Sequence, residues 1–389
     1  MLIQVIKALA GLSASLNLWQ WTAAARFHLH KRRPLASALP AVTILKPLKG
    51  HDTETRVCLE SWFTQDYQEF EILFGVSDPD DPVCETVREL QAKHPKIASK
   101  LVICDLNAGP NRKVAKLAFL EPMARYQIIV VSDADVKAPV DFLQQTVPVL
   151  LEEETGLVNC FYLLSNPVNL AMRWEALAVN SDFWSGVLQA RSLKPIDFAL
   201  GAVMTVRRSY LDRIGGFRRL AGFLADDYQL GSQIARIGGR IEISPILVEC
   251  RDAPLGFRQV WHHQLRWTRT IRVCQPVPFF FSILNNATLW PALWLAMDRR
   301  SAVLLAVGFL IMMRMFMAGH LQGRLTKKGD HWPYIWLAPV KDLLQFILLA
   351  ASFGGSKVLW RGEMFRVSKG GLLLHPTARA APMQEVEAG

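Results

Sequence analysis

Phe70-Glu-Ile-Leu-Phe-Gly-Val76 runs directly into Ser77-Asp78-Pro79-Asp80-Asp81-Pro82, and further on Gln127-Ile-Ile-Val-Val131 runs into Ser132-Asp133-Ala134-Asp135. Each is a short apolar run, rich in β-branched or aromatic residues, that stops on carboxylates. Such runs read as strands buried on both faces. Ala41-Val-Thr-Ile-Leu45 and Leu101-Val-Ile-Cys104 supply two more strands. Helical stretches fall between them, over Glu54 to Gln65, from Pro82 toward His94, and over Lys113 to Met123. Strands alternating with helices from Ala41 to about Pro254 predict an α/β domain with a parallel sheet covered on both faces.

In an open parallel sheet, ligands sit beyond the carboxyl ends of the strands. Asp78 stands at one such end, and Asp133 with Asp135 at another. A strand-end Asp can accept hydrogen bonds from a base edge or a ribose hydroxyl. Two Asp at i and i+2 in a bend can hold a hard divalent cation, which favours oxygen ligands and substrate phosphates. The plain alternative is an Asp that opens a turn. Dinucleotide binding would need a glycine-rich turn after the first strand. The sequence there is Lys46-Pro-Leu-Lys-Gly50, with one glycine, and no P-loop follows.

Further candidates lie downstream. Lys113, in Asn111-Arg-Lys113, opens a helix and could meet phosphate charge; otherwise it is a solvated cation. Asp226 and Asp227, in Leu224-Ala-Asp-Asp-Tyr228, could supply a base to deprotonate an attacking hydroxyl, with one carboxylate raising the pKa of the other; otherwise they cap a helix. In Trp261-His-His-Gln-Leu-Arg-Trp267, His263 and Arg266 share a helical face. Arg266 could neutralise a diphosphate, and Trp267 offers a flat apolar surface. An interfacial amphipathic helix explains the same pattern.

The 389-residue chain is 51% hydrophobic, with 12 Trp and 20 Phe, and its mean hydropathy of +0.17 points to membrane segments beside a soluble portion. Leu2 to Phe27 is apolar, with Lys7 the only charged side chain before Arg26, and it ends in His28-Leu-His-Lys-Arg-Arg33. That length suits one spanning helix, and the basic cluster puts its end in the cytosol. An amphipathic helix lying on the membrane is the competing reading. Pro278 to Met297, Ala302 to Ala318 and Ile335 to Phe353 are further apolar blocks. They are interrupted by Asn285 and Asn286, by Arg314, and by Lys341 and Asp342, so they read as spanning, re-entrant or interfacial. The formal charge of +10 suits anionic lipid or a nucleotide diphosphate. Nucleic acid is set aside because no helix-turn-helix, zinc-finger or RNA-recognition pattern is present. The six cysteines are scattered, without a CxxC pair, and read as reduced core residues.

Taken in order, Ile44-Leu-Lys-Pro-Leu-Lys-Gly50, Gly75-Val-Ser-Asp-Pro-Asp-Asp-Pro82, Asn111-Arg-Lys113, Ser132-Asp-Ala-Asp135, Ala225-Asp-Asp-Tyr228 and Leu265-Arg-Trp267 resemble the inverting, family-2-like glycosyltransferases of GT-A fold. They look most similar to the ceramide glucosyltransferase family (family 21) and its hopanoid-associated bacterial relatives. The resemblance implies a membrane enzyme moving a sugar, glucose by preference, from a UDP-sugar to a ceramide-like lipid hydroxyl with inversion. Transfer of N-acetylglucosamine from its UDP donor to a hopanoid lipid is the enzymatic alternative, and an inactive membrane scaffold the non-enzymatic one. It implies Asp227 as catalytic base, and Asp78, Lys113, Asp133, Asp226, His263, Gln264, Arg266 and Trp267 as substrate-binding residues. Asp133 and Asp135 would hold Mg²⁺ or Mn²⁺. The first position of the last motif is normally Gln or Arg and is His263 here. The expected division is an anchor with basic flank over 1–33, a GT-A domain over 34–275, transmembrane or interfacial helices over 276–360 and a polar tail over 361–389, with the catalytic domain cytosolic.

Overall fold

The computed structural model describes residues 1–34, 38–360 and 363–374. An eight-stranded sheet holds β1 (Val42–Pro47), β2 (Phe70–Val76), β3 (Ala98–Ile103), β4 (Ile128–Ser132), β5 (Val136–Lys137), β6 (Thr155–Leu164), β7 (Val203–Arg207) and β8 (Arg240–Cys250). Their order is β3-β2-β1-β4-β7-β6-β8-β5. β3, β2, β1 and β4 are parallel neighbours, as expected. β7 runs antiparallel to β4 and β6, β8 is parallel to β6, and β5 is antiparallel to β8. The sheet is therefore mixed beyond β4. There the simple strand–helix alternation ends, and β7 is reached from β6 only after a long helical excursion.

Side-chain alternation explains why the strand runs are mostly apolar on both faces. Leu45, Leu73, Ile129 and Val131 point to one face, against Val114, Leu117 and Leu120 of the Arg112–Leu120 helix. Val42, Ile44, Ile72, Phe74, Ile128 and Val130 point to the other, against Trp62 and Phe63 of the Thr55–Phe63 helix and Val87 and Leu90 of the Val83–Lys93 helix. A period of two with both faces covered favours apolar residues at most positions, and buried polar ones are paired, as where Thr43 Oγ1 donates to Glu71 Oε1 at 2.7 Å. Truncating any one of these side chains to Ala would cost about 2–5 kcal/mol.

Leu2–Arg26 and Ser301–Thr326 are long and apolar enough to cross a membrane, and the Pro276–Asn285 and Leu289–Met297 helices form a pair bent by 50°. The polar residues that interrupt the C-terminal apolar blocks sit at seams between helices. Arg314 donates from Nε and Nη2 to the Asp342 carboxylate at 3.0 and 2.9 Å, and from Nη2 to Asp182 Oδ2 at 2.6 Å. Lys341 Nζ lies 2.7 Å from Asp342 Oδ1 and also bonds Asp182. Asn286 Nδ2 donates to the Asp342 carbonyl at 2.7 Å. Asn285 Nδ2 donates to Gln20 Oε1 at 2.7 Å, and Gln20 Nε2 to Ser185 Oγ at 2.7 Å. Asp182 and Ser185 belong to the segment that follows β6, so these bonds fasten the apolar helices onto the α/β domain. Buried charged groups persist only when paired.

Residues 363–374, grouped by sequence with the polar tail, are ordered. Lys357–Trp360, Glu363–Val367 and Leu373–Leu374 form a three-stranded sheet. It returns to the domain, where Leu224 N donates to the Gly371 carbonyl and Leu373 N to the Gly222 carbonyl, both at 2.8 Å. The remainder of the tail, 375–389, lies outside the described residues.

Candidate active site

The site forms at the carboxyl edge of the parallel strands. Lys46, at the end of β1, is fully buried. Its ammonium donates to Ser132 Oγ at 3.1 Å and to the Asp133 carbonyl at 2.5 Å, and lies 5.2 Å from the Trp62 ring centroid. Burial lowers its pKa to about 8, against the opposing pull of Cys58, Asp135 and Asp133. Asp133 N donates to the Ala202 carbonyl at 3.1 Å, and Arg251 N to the Asp135 carbonyl at 3.0 Å. These bonds fix the Asp133-Ala134-Asp135 bend between β7 and β8. Burial, then the neighbouring charges of Asp133 and Asp252, push the Asp135 carboxyl up to about 7.

Asn111 brings in the next element. It caps the Arg112–Leu120 helix, its Oδ1 accepting Lys113 N at 3.1 Å and Val114 N at 3.2 Å, as Asn at an N-cap does. Its Nδ2 donates to the Phe223 carbonyl at 2.7 Å, tying that helix start to the segment before Asp226. Lys113 is buried, not a solvated surface cation. Its Nζ lies 2.7 Å from Asp133 Oδ1 and 3.3 Å from Asp226 Oδ2. Burial works against its charge, but Asp133 and Asp226 outweigh that and hold its pKa above the usual lysine value.

Asp226 and Asp227 lie in the first turn of the Asp226–Arg236 helix, whose N-cap is Ala225, so neither is the cap. Asp227 Oδ1 accepts Tyr228 N at 2.8 Å. Its Oδ2 packs so closely on Gly201 that a Cβ there would fall 2.7 Å away. Burial, then the adjacent Asp226, raise the Asp227 carboxyl to about 6. A carboxylate poised near neutral pH is suited to take a proton from a hydroxyl.

The Phe257–Cys274 helix lies alongside. His263 Nδ1 is 2.7 Å from Glu175 Oε1, and Gln264 Nε2 donates to the same oxygen at 2.9 Å. The Trp267 ring meets His263 edge-on, with centroids 4.5 Å apart, and packs against the core on the Trp62 face of the sheet. Gln264 is buried, and its amide is spent on Glu175. Arg266 is half-buried one residue before Trp267.

Lys113 thus joins Asp133 to the Asp226–Asp227 pair, with Asp135 on the same bend. Asp78 stands apart at the end of β2, exposed, with Oδ1 accepting Asp80 N at 3.0 Å. Next to it the Asp81 carboxylate accepts Gly50 N at 2.9 and 3.0 Å, bracing the loop that leaves β1. The sequence reading missed Lys46, Glu175 and Asp252. Asp252 follows the apolar run Ile246-Leu-Val248 by a few residues, a signal of the same kind as those at β2 and β4. Lys46 and Glu175 carry no local signal, because their partners are remote in sequence.

Among the described residues no group of three or more His, Cys, Asp or Glu side chains converges to hold a metal by itself. Asp133 and Asp135 nevertheless fit a hard divalent cation. Both offer oxygen only, and the raised carboxyl of Asp135 would be relieved by a positive charge. Mg²⁺ in particular is held by one or two carboxylates with substrate phosphates completing the shell.

The profile of the family described as Glycosyl transferase family 21 matches residues 2–373. Ceramide glucosyltransferase 3 of Caenorhabditis elegans is 23% identical over 377 residues, covering 90% of this chain and 78% of the relative. Ceramide glucosyltransferase 1 of the same organism is 26% identical over 219 residues, covering 56% of this chain and 47% of the relative. Among solved structures, mannosyltransferase PcManGT from Pyrobaculum calidifontis, in complex with GDP-Man and Mn²⁺, superposes with a TM-score of 0.53 at 21% identity, covering 89% of this chain and 99% of that one. That likeness is one of fold, and the fold is GT-A.

Proposed function

The chain belongs to glycosyl transferase family 21, and from that premise we propose that it transfers glucose from UDP-glucose to the hydroxyl of a ceramide-like membrane lipid, with inversion. One observation supports the reading: Lys113 lies within ion-pair distance of both Asp133 and Asp226, so the Asp133 bend at the end of β4 and the later acidic pair lie together. Asp227 is the base. It takes the proton of the lipid hydroxyl as that oxygen forms a bond to the anomeric carbon from one side, and the bond to the diphosphate oxygen breaks on the other. The electron pair leaves with UDP, and the proton stays on the Asp227 carboxyl.

Charge on the departing diphosphate is the largest demand, and fixed cations that need no reorganisation meet it best. Arg266 and Lys113 are the side chains for that task, and Trp267 gives the sugar or lipid a flat apolar wall. Asp133 and Asp135 would hold Mg²⁺ or Mn²⁺, which supplies further charge neutralisation when bound. Asp78 serves the uridine. The apolar helices bring the lipid to the rim of the site, with the catalytic domain on the cytosolic face.

The test is incubation of the purified full chain in lipid nanodiscs with a panel of UDP-sugars against ceramide, hopanoid and diacylglycerol acceptors, with mass spectrometry of the lipid product. UDP-glucose with ceramide should give the strongest product. Asp227→Asn should lower turnover by about 10²–10⁴-fold, the usual contribution of a general base, while UDP still binds. Substantial turnover by that variant would remove the base assignment, and transfer to no lipid would remove the reaction.

A further inference from the structure

Glu175 lies on the Leu170–Leu177 helix and is only 3% exposed. A buried carboxylate is costly unless hydrogen-bonded. Its Oε1 meets this need with two neighbouring residues of another helix, His263 Nδ1 at 2.7 Å and Gln264 Nε2 at 2.9 Å. Gln264 is buried, whereas His263 is partly open, its side chain 30% exposed. The imidazole is therefore held on one edge by Glu175 and on one side by Trp267. A ring whose Nδ1 is engaged has Nε2 left to offer a substrate. A cavity of about 10 Å³, lined by Glu175 together with Met172, Leu164 and Asp252, has room for about one water molecule. It reaches the end of β8, where Asp252 lies near enough to Asp135 to raise its pKa.

We infer that Glu175 is a positioning residue for the transfer, fixing the tautomer and plane of His263 so that Nε2 meets the reacting complex beside Arg266 and Trp267. The inference rests on the proposed function, since it needs a reaction at that position. Glu175 touches no substrate; it acts through His263, in the way carboxylates orient a histidine that does chemistry at its other nitrogen. A merely structural role would be to hold the two helices together, and the two roles separate in a double-mutant cycle.

The experiment uses the full chain in nanodiscs with UDP-glucose and ceramide, comparing wild type, Glu175→Leu, His263→Ala and the double variant. Each single change should lower kcat by roughly 10–100-fold with KM for UDP-glucose changed less than about threefold, the pattern of an interaction made in the transition state. The double variant should be no slower than the slower single one. Losses that multiply in the double variant, or unchanged kcat in either single variant, would overturn the inference. Should Glu175→Leu fail to fold, Glu175→Gln keeps an acceptor for Gln264. Its effect must likewise vanish in the His263→Ala background, and an effect that persists there would overturn the inference as well. Wild type that transfers nothing to ceramide would instead count against the proposed function.

Discussion

At the scale of single residues, Lys113 and Asp227 respond oppositely to the same burial. Lys113 has two carboxylates at ion-pair distance and keeps its charge. Lys113→Met would leave Asp133 and Asp226 without their cation. Breaking a buried pair in this way costs about 3–5 kcal/mol; because Asp133 is more than a third exposed, the loss belongs near the lower end, about 3 kcal/mol. Denaturant unfolding of the detergent-solubilised chain measures it, and an unchanged midpoint would contradict the buried linkage. Asp227 has no such compensation beyond Lys113, and its carboxyl is raised to about 6 from about 3.9 in an unfolded chain. Above the folded value the ionised, buried carboxylate costs stability; below the unfolded value it is neutral in both states and costs nothing. Asp227→Asn should therefore raise the melting temperature most at pH 8, and the gain should shrink as pH falls toward about 4, the range set by the two pKa values. A gain independent of pH would refute the electrostatic origin. Both acids were legible as candidates in the sequence. That Lys113 joins them was not, because Asp133 and Asp226 are far apart along the chain and meet only once the sheet edge forms.

At the scale of elements, the interrupted apolar helices hold a balanced set of charges, Arg314 and Lys341 against Asp182 and Asp342. Arg314→Met leaves two carboxylates on one ammonium and should cost about 3–5 kcal/mol. Adding Asp342→Leu restores one cation to one anion, Lys341 with Asp182, and should recover most of that loss. Thermal unfolding in detergent checks the pair; a double variant no better than Arg314→Met alone would mean that the individual contacts, not charge balance, hold the helices. The sequence marks Arg314, Lys341 and Asp342 as interruptions because they break apolar blocks. It gives no sign of Asp182, which lies in the stretch read only as part of the α/β domain.

For the whole molecule, the N-terminal helix, long and apolar enough to cross a membrane, is also part of the fold. Ala24 is fully buried in the core cluster that also holds Trp184, Leu188, Leu321 and Leu325. Arg324 donates to the carbonyls of Ala24 and Phe27 at 2.6 and 2.8 Å, and Trp21 Nε1 to His320 Nδ1 at 3.1 Å. Deleting residues 2–26 should therefore give an aggregating protein without UDP binding instead of a soluble enzyme. Size-exclusion chromatography and UDP titration of the truncated chain test this, and a monodisperse, UDP-binding product would contradict it.

The sequence by itself determined the parallel half of the sheet, the acids at its strand ends, the order of motifs and the apolar helices. Each of these is a local pattern: hydrophobic period, strand-terminal residue type, length of an apolar run. Tertiary structure alone decided the mixed second half of the sheet, the Lys113 bridge, the grip of Glu175 on His263 and the charge set around Asp182. Each of those joins residues whose separation along the chain is large, and burial sets their electrostatics only after the chain has closed around them.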